Sequence, residues 1–176
     1  AELVYEDRYS LPGVHQGYIE THAAIADYDA TGKLTVYSPT QDAWQVRINL
    51  SRIFNLKMSK IRVVADPIGG GFGGKIDMLL EHVATALAMQ TGRPVRIVLT
   101  RREEIPVAHS RHPMILYIKT GVNRDGTVVA QDINVVINTG GYAGGTSAIA
   151  WAMGGKLFRM TDTPNLRFKA TEVYTN

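Results

Sequence analysis

Cysteine is absent from the 176 residues of this chain. Without thiols the chain forms no disulfide, no thiolate zinc site and no iron–sulfur cluster held by this chain alone. Long apolar runs are also missing, since no stretch approaches the roughly 20 consecutive apolar residues that a membrane span requires. The first residues, Ala1–Arg8, include acids and lack the apolar core of a secretion signal. We therefore expect a cytoplasmic protein without membrane segments, and the lack of Met at position 1 predicts a processed chain or a fragment.

A strong excess of charge of one sign is lacking as well. The 19 Lys and Arg residues and the 16 Asp and Glu residues leave a net charge of +3, and the basic residues are scattered. A nucleic-acid-binding protein more often concentrates positive charge on one face, so we expect no nucleic-acid partner. The length and the apolar fraction of 45% predict one domain over residues 1–176, or two small lobes that divide near residues 105–113.

The hydrophobic pattern predicts helices interleaved with strands. We expect loop or edge structure in the first twenty residues, a helix capped by Ser38 or Thr40, and a polar connection after Leu99. Turn sequences at residues 29–32 and 123–126 predict hairpins. The other predicted elements are strands 21–28, 33–37, 61–65, 95–99, 114–120, 128–137 and 166–173, a helix 78–90 and a short helix within 140–155. This mixture indicates an α+β fold, with a mixed sheet packed with helices.

The most informative segment is Gly69–Gly74, which holds five glycines and Phe72 between a predicted strand and a predicted helix. Glycine lets the backbone approach a ligand closely and take positive φ at little steric cost. Successive backbone N–H groups, together with the positive end of the following helix, make an anion-binding site. We therefore expect this glycine loop (residues 69–74) to bind an anionic group.

Two common phosphate-binding motifs compete for this segment. Gly69, Gly71 and Gly74 satisfy the Gly-x-Gly-x-x-Gly dinucleotide fingerprint, and Arg101 with Arg102 would suit the 2′-phosphate of NADP. Against this alternative, Asp66–Ile68 separates the strand from the first glycine, and the hairpins do not suit a βαβαβ unit. A phosphate loop of the Walker type is excluded because Ile76 stands where Ser or Thr must hold magnesium.

A third interpretation takes the motifs together. The segment from Gly69 to Lys75, Gly-Gly-Gly-Phe-Gly-Gly-Lys, resembles the pterin-binding loop of the xanthine dehydrogenase/aldehyde oxidase family of molybdenum hydroxylases. Other segments are similar to the family's motifs in the same order along nearly the whole chain. They are Tyr18–His22, Thr40–Gln41, Thr100–Glu104, Ser110–Pro113, Asn138–Ala143, Pro164–Arg167 and Tyr174–Asn176.

The resemblance implies the first molybdopterin-binding lobe of the large subunit, as a fragment that is inactive alone. Gly70, Gly71, Phe72 and Gly73 would lie against the molybdenum–molybdopterin cofactor, with Phe72 either fixing the loop or plugging the core. Gln16 is a further candidate, because the family often places a glutamine near the metal's apical oxygen, although here the register differs by two residues. No catalytic residue is assigned, since the family's essential glutamate lies downstream of this chain.

The resemblance also implies substrate and partners. The residue after the loop lysine is acidic in purine-hydroxylating members but is Ile76 here, and the arginine expected near Ala152–Met153 is absent. An apolar wall suits an aromatic heterocycle or an aldehyde better than a polar purine. The expected partners are the remaining domains of the molybdenum subunit and the domains or subunits that carry iron–sulfur clusters and FAD. A homo-oligomer is also an open expectation.

The remaining histidines and carboxylates are expected to be structural. The spacing of His22, His82, His109 and His112 fits no usual zinc pattern, so we expect hydrogen-bonded structural histidines and no metal ligands. Two carboxylate pairs are expected at the surface or as caps of turns and helices. These pairs are Asp27 with Asp29 and Glu103 with Glu104.

Overall fold

The computed structural model describes residues 1–143 and 145–175, apart from the side chain of Thr146. Gly144, in the segment 140–155 that was predicted to contain a short helix, and Asn176, within a family motif, lie outside the described residues. The strands are β1 (Leu3–Leu11), β2 (Ala23–Tyr28), β3 (Leu34–Tyr37), β4 (Ile61–Val64), β5 (Val95–Val98), β6 (Met114–Val122), β7 (Val128–Gly140) and β8 (Asn165–Tyr174). The helices are α1 (Ala43–Phe54), α2 (Glu81–Thr91), α3 (Arg101–Val107) and α4 (Thr146–Met160), with a 3₁₀ turn at Met58–Lys60. The predicted α+β class with mixed sheets is confirmed.

The chain divides into two compact units, one of residues 15–111 and one of residues 1–14 with 112–176. Whether these units act as one domain or as two lobes stays a prediction.

The unit of residues 15–111 is a four-stranded sheet packed with helices. The strand order is β4-β3-β2-β5, with β3 and β4 parallel and the other pairs antiparallel. Alternate residues of β2 and β3 are buried, which places one sheet face against α1 and α2. The core joins these strands to buried residues of the two helices, namely Val46, Leu50, Ala84 and Ala88.

Local signals set the ends of α1 and α2, but two predicted helix starts are wrong. Asn55 and Gly92 end the helices in the left-handed conformation. The cap of α1 is Asp42, whose carboxylate accepts a hydrogen bond from the Gln45 N–H, because Thr40 instead donates to the Lys75 carbonyl. Helix α2 begins at Glu81 rather than near residue 78.

Helix α3 replaces the polar connection predicted after Leu99. Thr100 and Glu103 form a capping box, in which each side chain bonds to the backbone N–H of the other residue. The Thr-x-x-Glu signature of such a box is readable in the sequence. The helix is only seven residues long and contains Pro106, so its hydrophobic period is too short to stand out.

The unit of residues 1–14 and 112–176 has a second four-stranded sheet, in the order β1-β6-β7-β8. The predicted hairpin of β6 and β7 is confirmed, and β8 runs parallel to β7 after the crossover through α4. The α4 helix has 15 residues, more than the predicted short helix, and its Ala150 packs against Ile133, Val135 and Ile137. Strand β1 is a fully exposed edge strand, so the expectation of edge structure, rather than loop, is correct.

Within the described residues, no helix is long and apolar enough to cross a membrane.

Candidate functional site

The glycine loop follows β4 and the link Ala65–Ile68, and no helix begins directly after it. Helix α2 starts at Glu81, and the Glu81 carboxylate accepts hydrogen bonds from the N–H groups of Leu79 and Leu80 at 2.9 and 3.0 Å. The chain's own carboxylate therefore occupies the positive end of this helix. The predicted contribution of the helix to an anion site is wrong, and so is the dinucleotide alternative, which needs the helix to open at the glycines.

One side of the glycine loop is held by Glu20. The Glu20 carboxylate accepts hydrogen bonds from the Gly69 N–H at 2.8 Å and from Nζ of Lys75 at 2.9 Å, while the Glu20 N–H donates to the Gly69 carbonyl. Burial by itself raises the pKa of Glu20, but the bonds from Lys75 and Gly69 outweigh it and hold the pKa below its usual value. Lys75 is 1% exposed. Its buried charge is balanced by the carboxylate of Glu20 and by the ring of Tyr18, whose centroid lies 4.9 Å from Nζ.

The other side of the glycine loop is held by Gln41, on the segment that leads into α1. Its side-chain Oε1 accepts hydrogen bonds from the Gly73 N–H at 3.0 Å and from the Lys75 N–H at 3.2 Å. The Gln41 N–H in turn donates to the Lys75 carbonyl at 2.8 Å. Glu20 and Gln41 thus bracket the loop.

Three consecutive N–H groups inside this bracket keep their hydrogen-bonding capacity. No residue in the described ranges accepts a hydrogen bond from the N–H of Gly70, Gly71 or Phe72, whereas the Gly74 N–H donates to the Gly71 carbonyl. Backbone donors without internal partners are what an oxygen-rich anionic group requires. The donor set therefore fits the phosphate or oxygen atoms of a molybdopterin cofactor.

The glycines of the loop are needed for two different reasons. Gly70 and Gly73 have positive φ, at 96° and 90°, where a side chain is strained. Gly69, Gly71 and Gly74 leave no room for a β-carbon, because other side chains of this unit occupy the space, and Gly70 is crowded in the same way by Cβ of Tyr18 at 2.9 Å. The side chains in the way are Glu20 for Gly69, Gln41 for Gly71, and Tyr18 with Gln16 for Gly74.

Phe72 does not plug the core, because its side chain is 75% exposed. Its φ is 51°, which is unusual for a residue other than glycine and costs about 1–3 kcal/mol. Because the ring is mostly exposed, packing within this unit contributes little free energy to offset the backbone strain. The ring is therefore available to contact a ligand.

Gln16 lies beside the loop, against Gly74, since a β-carbon on Gly74 would lie 3.0 Å from its Oε1. This Oε1 atom is buried and has no hydrogen-bond partner among the described residues. A buried polar atom without a partner is rare and marks a place where a ligand or water completes the bonding. The structure thus places Gln16 beside Gly74, at the C-terminal end of the loop that contains the other candidates, Gly70, Gly71, Phe72 and Gly73.

A buried cluster of polar side chains lies at the segment that leads into β2. The Glu104 side chain is fully buried and accepts hydrogen bonds from the Tyr18 hydroxyl and from the His22 N–H, the latter at 2.8 Å, with Nδ1 of His22 2.7 Å from Oε1. Burial raises the pKa of Glu104, but these bonds outweigh it and lower the pKa below its usual value. Burial, together with the bond to Glu104, raises the pKa of Tyr18.

The prediction that Glu104 lies at the surface or caps a helix is wrong, because its partners come from residues more than 80 positions earlier. Glu103 does cap α3 and Asp29 does close the first hairpin, as predicted. Arg101 binds the carbonyls of Tyr18 and Ile19 at 2.7 and 2.5 Å, so that guanidinium is already used within this unit.

The other singled-out residues take no part in the hydrogen bonds that Glu20 and Gln41 make to the loop. Ile76 is exposed directly after the loop, whereas Met153 packs in the core of the unit that contains α4. His22 is bonded as predicted, but Nδ1 of His82 is buried without a partner among the described residues. Sequence reasoning assigned no role to Glu20, Gln41 or Lys75, although all three lie in the quoted motifs.

Comparison with known proteins identifies the family. The model of the molybdopterin cofactor-binding domain matches residues 1–176. The chain is similar to a probable xanthine dehydrogenase component of Bacillus subtilis, with 36% identity over all of this chain and 24% of that protein. It is also similar to the nicotinate dehydrogenase large molybdopterin subunit of Eubacterium barkeri, with 34% identity over 99% of this chain and 41% of that protein.

Solved structures agree with this assignment. Aldehyde oxidoreductase from Desulfovibrio gigas has the same fold, with a TM-score of 0.89 at 23% identity over 99% of this chain and 19% of that chain. Reconstituted CO dehydrogenase from Oligotropha carboxidovorans has a TM-score of 0.84 at 26% identity, over 99% of this chain and 22% of that chain. The chain thus spans between about a fifth and two fifths of the length of these relatives. It belongs to the molybdopterin cofactor-binding domain family, in the xanthine dehydrogenase/aldehyde oxidase group of molybdenum hydroxylases.

Proposed function

We propose that this chain forms one wall of the molybdenum–molybdopterin pocket in a hydroxylase that oxidises an aromatic heterocycle or an aldehyde with oxygen from water. The observation that carries the proposal is the row of N–H groups from Gly70 to Phe72, which lack acceptors among the described residues and are held between Glu20 and Gln41. When bound, the cofactor supplies the two-electron oxidation of the substrate carbon. The work of this chain is to bind and orient that cofactor.

The loop residues would divide this work. The N–H groups of Gly70, Gly71 and Phe72 would donate to cofactor oxygens, with Gly73 giving the turn its close approach. The Gln16 amide, whose oxygen has no partner in the described part of the chain, would hydrogen-bond a cofactor ligand or a water beside it. The exposed ring of Phe72 would cover the cofactor and exclude water, which strengthens the electrostatic interactions around it. None of these residues transfers a proton.

The substrate class follows from Ile76, which is exposed directly after the loop. An exposed isoleucine there offers apolar surface and no hydrogen bond, so it favours a flat aromatic ring or an alkyl aldehyde over a purine. We expect Ile76→Glu in the full-length enzyme to lower kcat/KM for such apolar substrates about tenfold or more, with molybdenum content unchanged. Equal losses for purine and apolar substrates would contradict the assignment.

The rest of the enzyme would come from other polypeptide segments. We propose that other domains of the molybdenum subunit supply the catalytic base, and that domains or subunits with iron–sulfur clusters and FAD carry the electrons away in the cytoplasm. The coverage of only a fifth to two fifths of the relatives supports this division. We expect this chain alone to oxidise no substrate, and an active isolated chain would contradict the proposal.

The test is the composition and activity of the full-length protein. Purified protein should contain about one molybdenum and one pterin per subunit and should incorporate oxygen from oxygen-18-labelled water into an aldehyde or N-heterocycle. A double variant, Gly70→Ala with Gly73→Ala, should lose the cofactor because a side chain is strained at both positive φ values. An active full-length protein without molybdenum would overturn the proposal.

A further inference from the structure

We propose that Gln41 is the positioning residue of the glycine loop and determines which loop N–H groups remain free for the cofactor. This inference rests on the proposed function for the identity of the ligand. Gln41 itself touches the loop and not the reacting atoms, so its role is indirect.

Gln41 holds two backbone N–H groups with one side-chain atom. A single atom, Oε1, accepts from both Gly73 and Lys75, and the two donors identify that atom as the oxygen of the amide. These two bonds close the C-terminal half of the loop. The adjacent N–H groups, from Gly70 to Phe72, are left without partners among the described residues.

Gln41 also packs closely against Gly71. A β-carbon on Gly71 would lie 2.7 Å from Cδ of Gln41, which is closer than real β-carbons approach other atoms. The side chain of Gln41 therefore lies against Gly71, whose N–H has no acceptor among the described residues. Because its Nε2 has no acceptor within the described part of the chain, Gln41 also presents a polar donor beside that backbone.

The alternative holders of the loop act elsewhere. Glu20 binds the N–H of Gly69 and the side chain of Lys75, so it anchors the start of the loop and leaves the Gly73 and Lys75 N–H groups untouched. Glu20 and Gln41 thus bind different backbone N–H groups of this segment. Loss of Gln41 should free Gly73 while Gly69 stays in place.

The experiment compares three variants of the full-length subunit. Gln41→Met removes the oxygen at nearly constant shape, Gln41→Glu keeps an acceptor oxygen, and Gln45→Met makes the same chemical change on α1 away from the loop. Amide hydrogen exchange of the segment 69–75 is measured on cofactor-free protein. Dissociation of molybdenum and pterin is measured on the holoenzyme.

We expect Gln41→Met to exchange the loop amides roughly tenfold faster and to lose cofactor roughly tenfold faster, as expected when one or two hydrogen bonds are lost. Loop exchange in Gln41→Glu and Gln45→Met should match the wild type, and thermal stability should differ little among the three. Gln41→Met exchanging like Gln45→Met, or Gln41→Glu exchanging as fast as Gln41→Met, would overturn the inference.

The same experiment separates this inference from the proposed function. Wild-type protein without molybdenum or pterin would overturn the proposed function and, with it, the ligand of the loop. Loop exchange on the same sample would still decide whether Gln41 sets the shape of the loop. Unchanged cofactor dissociation in a Gln41→Met protein with a loosened loop would overturn the link between the two.

Discussion

The carboxylate of Glu104 accepts a hydrogen bond from the hydroxyl of Tyr18, and both side chains are almost completely buried although 86 positions separate them. Tyr18 also contacts Lys75 through its ring. The bond therefore connects α3 to the side chain that, with Glu20, anchors the glycine loop. Both the stability of the fold and the position of the loop should therefore depend on this bond.

Replacing the buried carboxylate should be costly. Glu104→Gln places a donor NH2 group among the hydroxyl of Tyr18 and the N–H of His22, so one buried donor loses its acceptor. We expect the free energy of unfolding to fall by about 2–4 kcal/mol. Urea unfolding measures this, with the exposed neighbour Glu103→Gln as the control, where only the cap is affected and the loss should be clearly smaller. Equal losses in the two variants would argue against a buried cluster.

The same carboxylate should make stability depend on acidity. The folded-state pKa of Glu104 lies below its ordinary value of 4.5, so the folded protein binds the proton less readily than the unfolded chain. Its stabilising contribution is therefore present above about pH 4.5 and is lost as pH falls through the lowered folded-state pKa. When the free energy of unfolding is measured from about pH 7 down to about pH 3, it should decline less steeply in Glu104→Gln than in the wild type. Parallel curves for the two proteins would rule this out.

Two glycines of the loop should respond differently to alanine. Gly73→Ala meets no atom within 4 Å but is strained at φ 90°, which costs about 1–2 kcal/mol of folding free energy. Gly71→Ala instead pushes the flexible Gln41 side chain off the loop. The rates of loop amide exchange and of cofactor loss in Gly71→Ala should resemble those in Gln41→Met. In the double variant, Gly71→Ala with Gln41→Met, both rates should be no faster than in either single variant. Additive effects would show that Gly71 acts independently of Gln41.

Phe72 should matter for the cofactor and not for the fold. Its ring is mostly exposed and its backbone is strained, so Phe72→Gly removes strain and little packing. We expect no loss in the free energy of unfolding, because relief of this strain offsets the greater conformational freedom of glycine in the unfolded chain, which costs about 0.5–1 kcal/mol. Cofactor retention in the full-length enzyme should nevertheless fall severalfold, measured as pterin per subunit after gel filtration. A large loss of stability with normal pterin content would instead assign the ring a structural role.

The elements that the sequence predicted well depend on neighbouring residues. The hairpin turns at residues 29–32 and 123–126 are local conformational preferences, so a short window contains their cause. The glycine loop was also recognisable, because five glycines in six positions can be read without knowing any contact. The helix boundaries were predicted less well. Thr40 is a residue type that often caps helices, but its hydroxyl here donates a hydrogen bond to the Lys75 carbonyl.

By itself, then, the sequence determined the α+β class, the family and the segment that we propose meets the cofactor, because these depend on periodicity, turn chemistry and ordered motifs. Only the tertiary structure decided how the glycine loop is held. Glu20, Gln41 and Glu104 are common polar residues with no local signature, and they acquire their roles from partners 32 to 86 positions away. Burial removes competing water from such bonds, so the same side chain is a surface group in one fold and a fixed support in another.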